Sequence, residues 1–269
     1  MSTLSFAVSD SVTMLRRNLK RALRYPAMTF SVVLMPVLML LLFTYAFGGA
    51  LGAGITGTPA GDGSPTGGGA YIGYVAPGII LMTATSGAVA TAVSVCVDMT
   101  EGIVNRFRTM SVSRAAFLTG HVVGSTLQAL VAITVVTGVA VAIGFRPDAS
   151  VVEWLAAAGL LTLVTLALTW VSAAIGLVSR TPESASNTPL PLTFLPFLGS
   201  AVVPTDSMPT GLRWFAEYQP FTPVIETLRG LLTGTEIGTS GYVAVAWCLG
   251  LTLAGYLWAR SAFGRLAYR

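Results

Sequence analysis

The sequence predicts an all-α membrane protein with six transmembrane helices, and three observations carry that reading. First, 54% of the 269 residues are hydrophobic and only 10% are charged, where an ordinary soluble domain carries about 25% charged residues. Second, the charges cluster, leaving uncharged stretches at 25–61, 63–97, 115–145, 154–179, 184–205 and 237–259. Each exceeds the roughly 20 residues that a bilayer-spanning helix needs. Third, those stretches are continuously apolar, whereas membrane strands alternate apolar and polar residues over about 10 positions. A mean hydropathy of +0.75 leaves too little polar surface to cover a soluble globule. The whole chain, 1–269, reads as a single transmembrane domain.

The elements follow in order. Residues 11–25 place Val12, Leu15, Leu19 and Leu23 on one helical face, with Arg16, Arg17, Lys20, Arg21 and Arg24 largely on the other. That is an interfacial amphipathic helix suited to a membrane surface. The apolar stretch after residue 26 is longer than a signal-peptide core and reads as the first span. Spans are expected at about 27–47, 72–97, 115–143, 154–178, 186–203 and 240–259. Residues 48–70, rich in Gly, Pro, Ser and Thr, read as a loop. Pro77-Gly78 should kink or break the second span, and Pro189, Pro191 and Pro196 should make the fifth irregular. Residues 204–236 read as an outer re-entrant element. Cys96 and Cys248 lack metal-ligand spacing and read as packing residues.

Orientation follows from the basic residues. With the N-terminus inside, 12 of the 15 Lys and Arg lie on cytoplasmic segments, while Arg146, Arg213 and Arg229 face out against seven acids. Both termini are therefore expected in the cytoplasm, in a multi-pass protein of the cell membrane.

The same residues exclude several functions. The only lysine is Lys20, and no phosphate loop surrounds it, so the chain carries no Walker-type ATP site. The expected span cores hold no Asp, Glu, Lys or Arg, which weakens an ion-coupled carrier. One histidine, His121, and no intramembrane carboxylate pair leave little for hydrolysis. No catalytic residue, metal site or cofactor is expected on this chain, and no nucleic-acid partner.

The loop D-M-T-E-G-I-V-N-R-F-R-T-M-S-V-S-R, Asp98 to Arg114, puts Ile103, Phe107 and Met110 on one face of a short helix. In Y-Q-P-F-T-P-V-I-E-T-L-R-G-L-L-T-G, Tyr218 to Gly234, Thr222 is placed to cap a helix beginning at Pro223. Glu226 is placed to pair with Arg229, and Gly230 or Gly234 to end it. With P-L-T-F-L-P-F-L-G-S-A-V-V-P, Pro191 to Pro204, these motifs resemble membrane subunits of the type 2 ABC exporters. The likeness is greatest to the daunorubicin-resistance-like actinobacterial branch. It covers nearly the whole chain, and the second motif is highly specific. Gln219 stands where that family commonly has Asn, Val112 where Pro is frequent, and His121 where a basic residue is frequent.

The resemblance implies a bacterial permease whose power comes from ATP and Mg on two copies of a separate ATPase subunit. A second membrane half, identical or paralogous, is implied too. It also implies a coupling helix at 98–114, with Glu101, Gly102, Arg106, Phe107, Arg108, Ser113 and Arg114 at the ATPase, and a surface helix carrying Arg16, Arg17, Lys20 and Arg24. An outer gate would be formed by Pro220, Phe221, Thr222, Pro223, Glu226, Arg229 and Gly230. Absent charged residues in the spans, the cargo is expected to be a hydrophobic or amphipathic small molecule: a drug, natural product or lipid. Thr83, Thr85, Ser86, Thr91, Thr193, Phe194, Phe197 and Ser200 are its cavity candidates, though small polar residues also serve helix packing. An ion-coupled carrier or a non-transporting scaffold is the alternative function.

Overall fold

The computed structural model describes residues 26–50, 66–100 and 114–266, and these are helical with no strands among them. Helix α1 spans Pro26–Leu41 and continues as a π-helical stretch, Leu42–Phe47. Then come α2 (Thr66–Thr100), α3 (Arg114–Ala142) and α4 (Val151–Val178). Short pieces follow, α5 (Pro182–Asn187), α6 (Leu190–Phe194) and a 3-10 turn at Leu195–Leu198. A second 3-10 turn at Thr205–Ser207 leads to α7 (Thr210–Tyr218), α8 (Phe221–Thr233) and α9 (Ser240–Leu266). The expected surface helix at 11–25 lies outside the described residues.

Among the described residues, five helices are long and apolar enough to cross a membrane, at Val32–Ala50, Tyr71–Thr100, Leu118–Ala142, Val151–Val178 and Ser240–Arg265. The expected span at 186–203 differs: it is broken into α5, α6 and the 3-10 turn. Pro189, Pro191 and Pro196 each remove a backbone donor, so no continuous ladder can form there. Pro77 behaves otherwise. Helix α2 runs through it without the expected break.

Helices α2 and α4 make the core. The most apolar windows of α2 and α4 are 72% and 67% buried, against 17% for α1 and 22% for α9, which therefore present most of their apolar surface outward. Between membrane helices the hydrophobic effect supplies little, and close backbone approach through small residues replaces it. At Gly78 an added Cβ would sit 2.7 Å from the Ala201 Cα, at Gly176 2.5 Å from the Ala92 carbonyl, and at Gly255 2.8 Å from the Val171 amide nitrogen. A hydroxyl pair, Thr126 and Thr169 at 3.2 Å, adds a polar tie between α3 and α4.

These contacts define two ends. At the Tyr74 end, the Tyr71 hydroxyl donates to the Val202 carbonyl, Gly78 meets Ala201, and the Asp148 amide donates to the Leu232 carbonyl. At the Asp98 end, the Cys96 thiol reaches the Ser179 carbonyl and Gly176 meets Ala92. The broken segment thus starts beside Cys96 and finishes beside Gly78. The intervening 18 residues of α2 span about 27 Å at 1.5 Å per residue, close to the roughly 30 Å of a hydrocarbon core.

Candidate functional site

Helix α8 closes the Tyr74 end. It begins at Phe221, with Pro220 as its N-cap and no side-chain cap. Thr222 therefore lies inside the first turn instead of capping it. Pro220 and Pro223 lack amide donors, so much of the capping demand at this terminus is absent. Gly234, at φ 72°, ends the helix in the left-handed conformation that glycine adopts without Cβ strain. Gly230 lies inside the helix, and a Cβ there would collide with the Ile237 side chain.

The apolar face of α8 is sealed within the protein: Phe221, Val224, Ile225, Leu228 and Leu232 are all buried, packed with α2, α4 and α9. The two charges of α8 do not pair with each other as the sequence suggests. Arg229 donates from Nη2 to the Ser200 carbonyl at 2.6 Å and from Nε and Nη2 to the Tyr74 carbonyl at 3.3 Å. Its guanidinium also lies 3.7 Å from the centroid of the Tyr74 ring. Pro77 strips from α2 the amide that would serve the Gly73 carbonyl, and the helix nonetheless continues, with Arg229 bound to the neighbouring Tyr74 carbonyl. Glu226 instead accepts from the Ser240 hydroxyl at 2.8 Å, at the first residue of α9. One arginine thus ties α8 to α2 and to the broken segment, while one glutamate ties it to α9.

The broken segment beside α8 carries unsatisfied polar atoms. Gln219 donates to the Leu195 carbonyl at 3.0 Å and to the Thr222 hydroxyl at 3.3 Å, but its own Oε1 is buried without a partner. The hydroxyls of Thr193 and Ser200 are in the same condition. Phe197 packs on Phe43 of the π-helical stretch, with ring centroids 6.4 Å apart, and Phe194 is exposed. The other cavity candidates belong to helix packing. Thr83, Thr85, Ser86 and Thr91 each bond a carbonyl of α2 itself, and all but Ser86 are fully buried.

Preceding α8, the unforeseen helix α7 exposes Trp214 and Tyr218, whose rings stack at 5.5 Å. Arg213 bridges Asp206 and Glu217, each at 2.7 Å. The Glu217 hydrogen bond, with the charges of Asp206 and Glu217, raises its pKa above the usual arginine value.

At the Asp98 end the structure supplies a second cluster. Helix α2 extends to Thr100, so Asp98 lies within it and not in the loop, fully buried, with its Oδ2 3.0 Å from His121 Nε2 of α3. The span is therefore not free of carboxylates. Its periodicity held the clue: Ala84, Ala88, Thr91, Val95 and Asp98 form one helical stripe, and all are buried. Of the expected coupling residues, Glu101, Gly102, Arg106, Phe107, Arg108 and Ser113 lie outside the described residues, and Arg114 is the first residue of α3. Arg16, Arg17, Lys20 and Arg24 lie outside them too.

Comparison with known proteins bears on what this arrangement serves. Residues 10–233 match the family described as ABC-2 type transporter. The chain is 28% identical over 248 residues to the daunorubicin resistance ABC transporter permease protein DrrB1 of Streptomyces coeruleorubidus, covering 92% of this chain and 80% of that one. It is 22% identical over 177 residues to the probable doxorubicin resistance ABC transporter permease protein DrrC of Mycobacterium tuberculosis, covering 66% of this chain and 64% of that one.

Proposed function

The chain belongs to the ABC-2 type transporter family, and we propose that it is the permease half of an ATP-driven exporter of hydrophobic or amphipathic small molecules. The observation that carries this reading is the contrast between its ends. One is plugged by a short helix held through Arg229 and Glu226, and the other presents the 101–113 connection between two helices joined by Asp98 and His121. In this reading five continuous helices and the broken 182–203 segment make six crossings, with the Tyr74 end outside and both termini inside. The run of that segment from Cys96 to Gly78 supports it, as does the bias of basic residues.

Power then comes from outside the chain. Two copies of an ABC ATPase subunit bind ATP and Mg, and each membrane half, identical or paralogous, receives the stroke at residues 98–114. Glu101 is the central polar contact, flanked by Arg106 and Arg108. Helix α8 is the outer gate. Its closure rests on the Arg229 bonds, and the unsatisfied Gln219, Ser200 and Thr193 atoms beside it offer polar partners to a cargo passing the break. Cargo of this class accords with relatives named for resistance to daunorubicin and doxorubicin.

Reconstitution with the partner ATPase in liposomes tests the reading. ATP-dependent movement of an amphipathic dye should require both chains and should fall with Glu101→Ala without loss of the permease from the membrane. Movement that persists without ATPase and follows an ion gradient would establish the carrier alternative instead.

A further inference from the structure

Between α3, α4 and α9 at the Asp98 end lies a groove of about 530 Å³, walled by Leu118, Trp170, Tyr256 and Phe263 and bordered by Arg260. Its apolar wall is built, with the Trp170 and Tyr256 rings meeting edge to face at 5.1 Å. Arg260 is exposed and makes no hydrogen bond or ion pair among the described residues. It lies six residues before the end of α9, about 9 Å from it, and the exposed face just beyond it is Leu253, Tyr256 and Leu257. An arginine at that depth in lipid needs an anionic partner or must extend to the interface.

Among the described residues no acidic side chain bonds Arg260. Asp98 is bonded to His121, and the Arg265 guanidinium donates to Ser261. Of the other described charges near this end, Arg180 and Arg265 are basic and Glu183 is acidic. An oppositely charged, double-natured occupant fits what the groove lacks. We propose that this groove binds one anionic glycerophospholipid, its phosphate on Arg260 and an acyl chain along Trp170, Tyr256 and Leu118. Both leaflets present phosphates, so the site stands whichever way the chain is oriented and independently of its cargo.

The test uses the full chain in phosphatidylcholine nanodiscs with Trp154, Trp214, Trp247 and Trp258 replaced by Phe, leaving Trp170 as reporter. Brominated phosphatidylglycerol should quench Trp170 at about a fivefold lower mole fraction than brominated phosphatidylcholine, the weight of one interfacial cation. Arg260→Gln should abolish that preference and Arg260→Lys should retain part of it. Native mass spectrometry of the unaltered chain should show one phosphatidylglycerol retained, and lost in Arg260→Gln, so the result does not depend on the reporter variant folding. Equal quenching by both lipids, or retention unchanged in Arg260→Gln, overturns the proposal. Failure of either lipid to quench also overturns it, by showing the groove filled by protein, a second copy or residues 1–25.

Discussion

The two ends of the bundle solve the same problem differently. At the Tyr74 end a cation is satisfied by backbone: Arg229 spends its donors on the Tyr74 and Ser200 carbonyls and its face on the Tyr74 ring. At the Asp98 end a buried carboxylate meets an imidazole across two helices. A guanidinium clamped on carbonyls tolerates little change, because its fork geometry and charge are both used. At the other end the Asp98–His121 contact ties two regular helices, α2 and α3, directly to each other. The difference teaches that the plugged end is clamped to irregular chain through backbone carbonyls, whereas among the described residues the opposite end is tied between regular helices.

The largest effect should come from breaking the clamp. Arg229→Ala should destabilise the purified protein by about 3 kcal/mol, within the range for hydrogen bonds to charged groups, read as a lowered melting temperature in detergent. It should also raise dye leak in liposomes. Exchanging Glu226 and Arg229 should recover none of this, since the two side chains have separate partners. Recovery would restore the direct pair.

Next come the close approaches, one at each end. Gly78→Ala drives a methyl against Ala201 of the broken segment, and Gly176→Ala drives one against the Ala92 carbonyl. Each should cost about 1–3 kcal/mol by overpacking, with Gly78→Ala the larger because Ala201 adjoins Ser200, whose carbonyl Arg229 clamps. The reverse order in thermal melts would mean that the plugged end is the more yielding one.

Removing the Asp98–His121 contact at the other end should cost less. His121→Ala takes from Asp98 one buried partner, for about 1–2 kcal/mol, while Asp98→Asn with His121 retained should be milder. Transport per ATP hydrolysed should fall more than melting temperature if the pair transmits motion from residues 101–113, and the two should fall together if it only packs. The smallest effect belongs to Ser150→Ala at the start of α4. Its capping box with Glu153 is exposed, so about 1 kcal/mol or less is expected from chemical denaturation.

Much of this was legible in the chain. Long uncharged stretches gave the spans because a bilayer demands length and apolarity and little else. Prolines at 189, 191 and 196 announced the broken segment, since a missing amide is a local fact. The motif at 218–234 announced α8 and its terminating Gly234. Helix α7 was not foreseen, because nine residues with mixed charge and aromatics look like loop until Arg213, Asp206 and Glu217 are seen to neutralise one another.

Sequence by itself therefore determined the membrane class, the long helices and the break at Pro189, Pro191 and Pro196, through composition, periodicity and backbone chemistry that act within a few residues. Only the tertiary structure decided which partners the charges take. Arg229 bonds carbonyls 155 and 29 residues away, and Asp98 reaches His121 across 23 residues. A buried charge takes whatever polar group the packed helices bring within 3 Å or so, and that choice depends on how they cross, which no local pattern records.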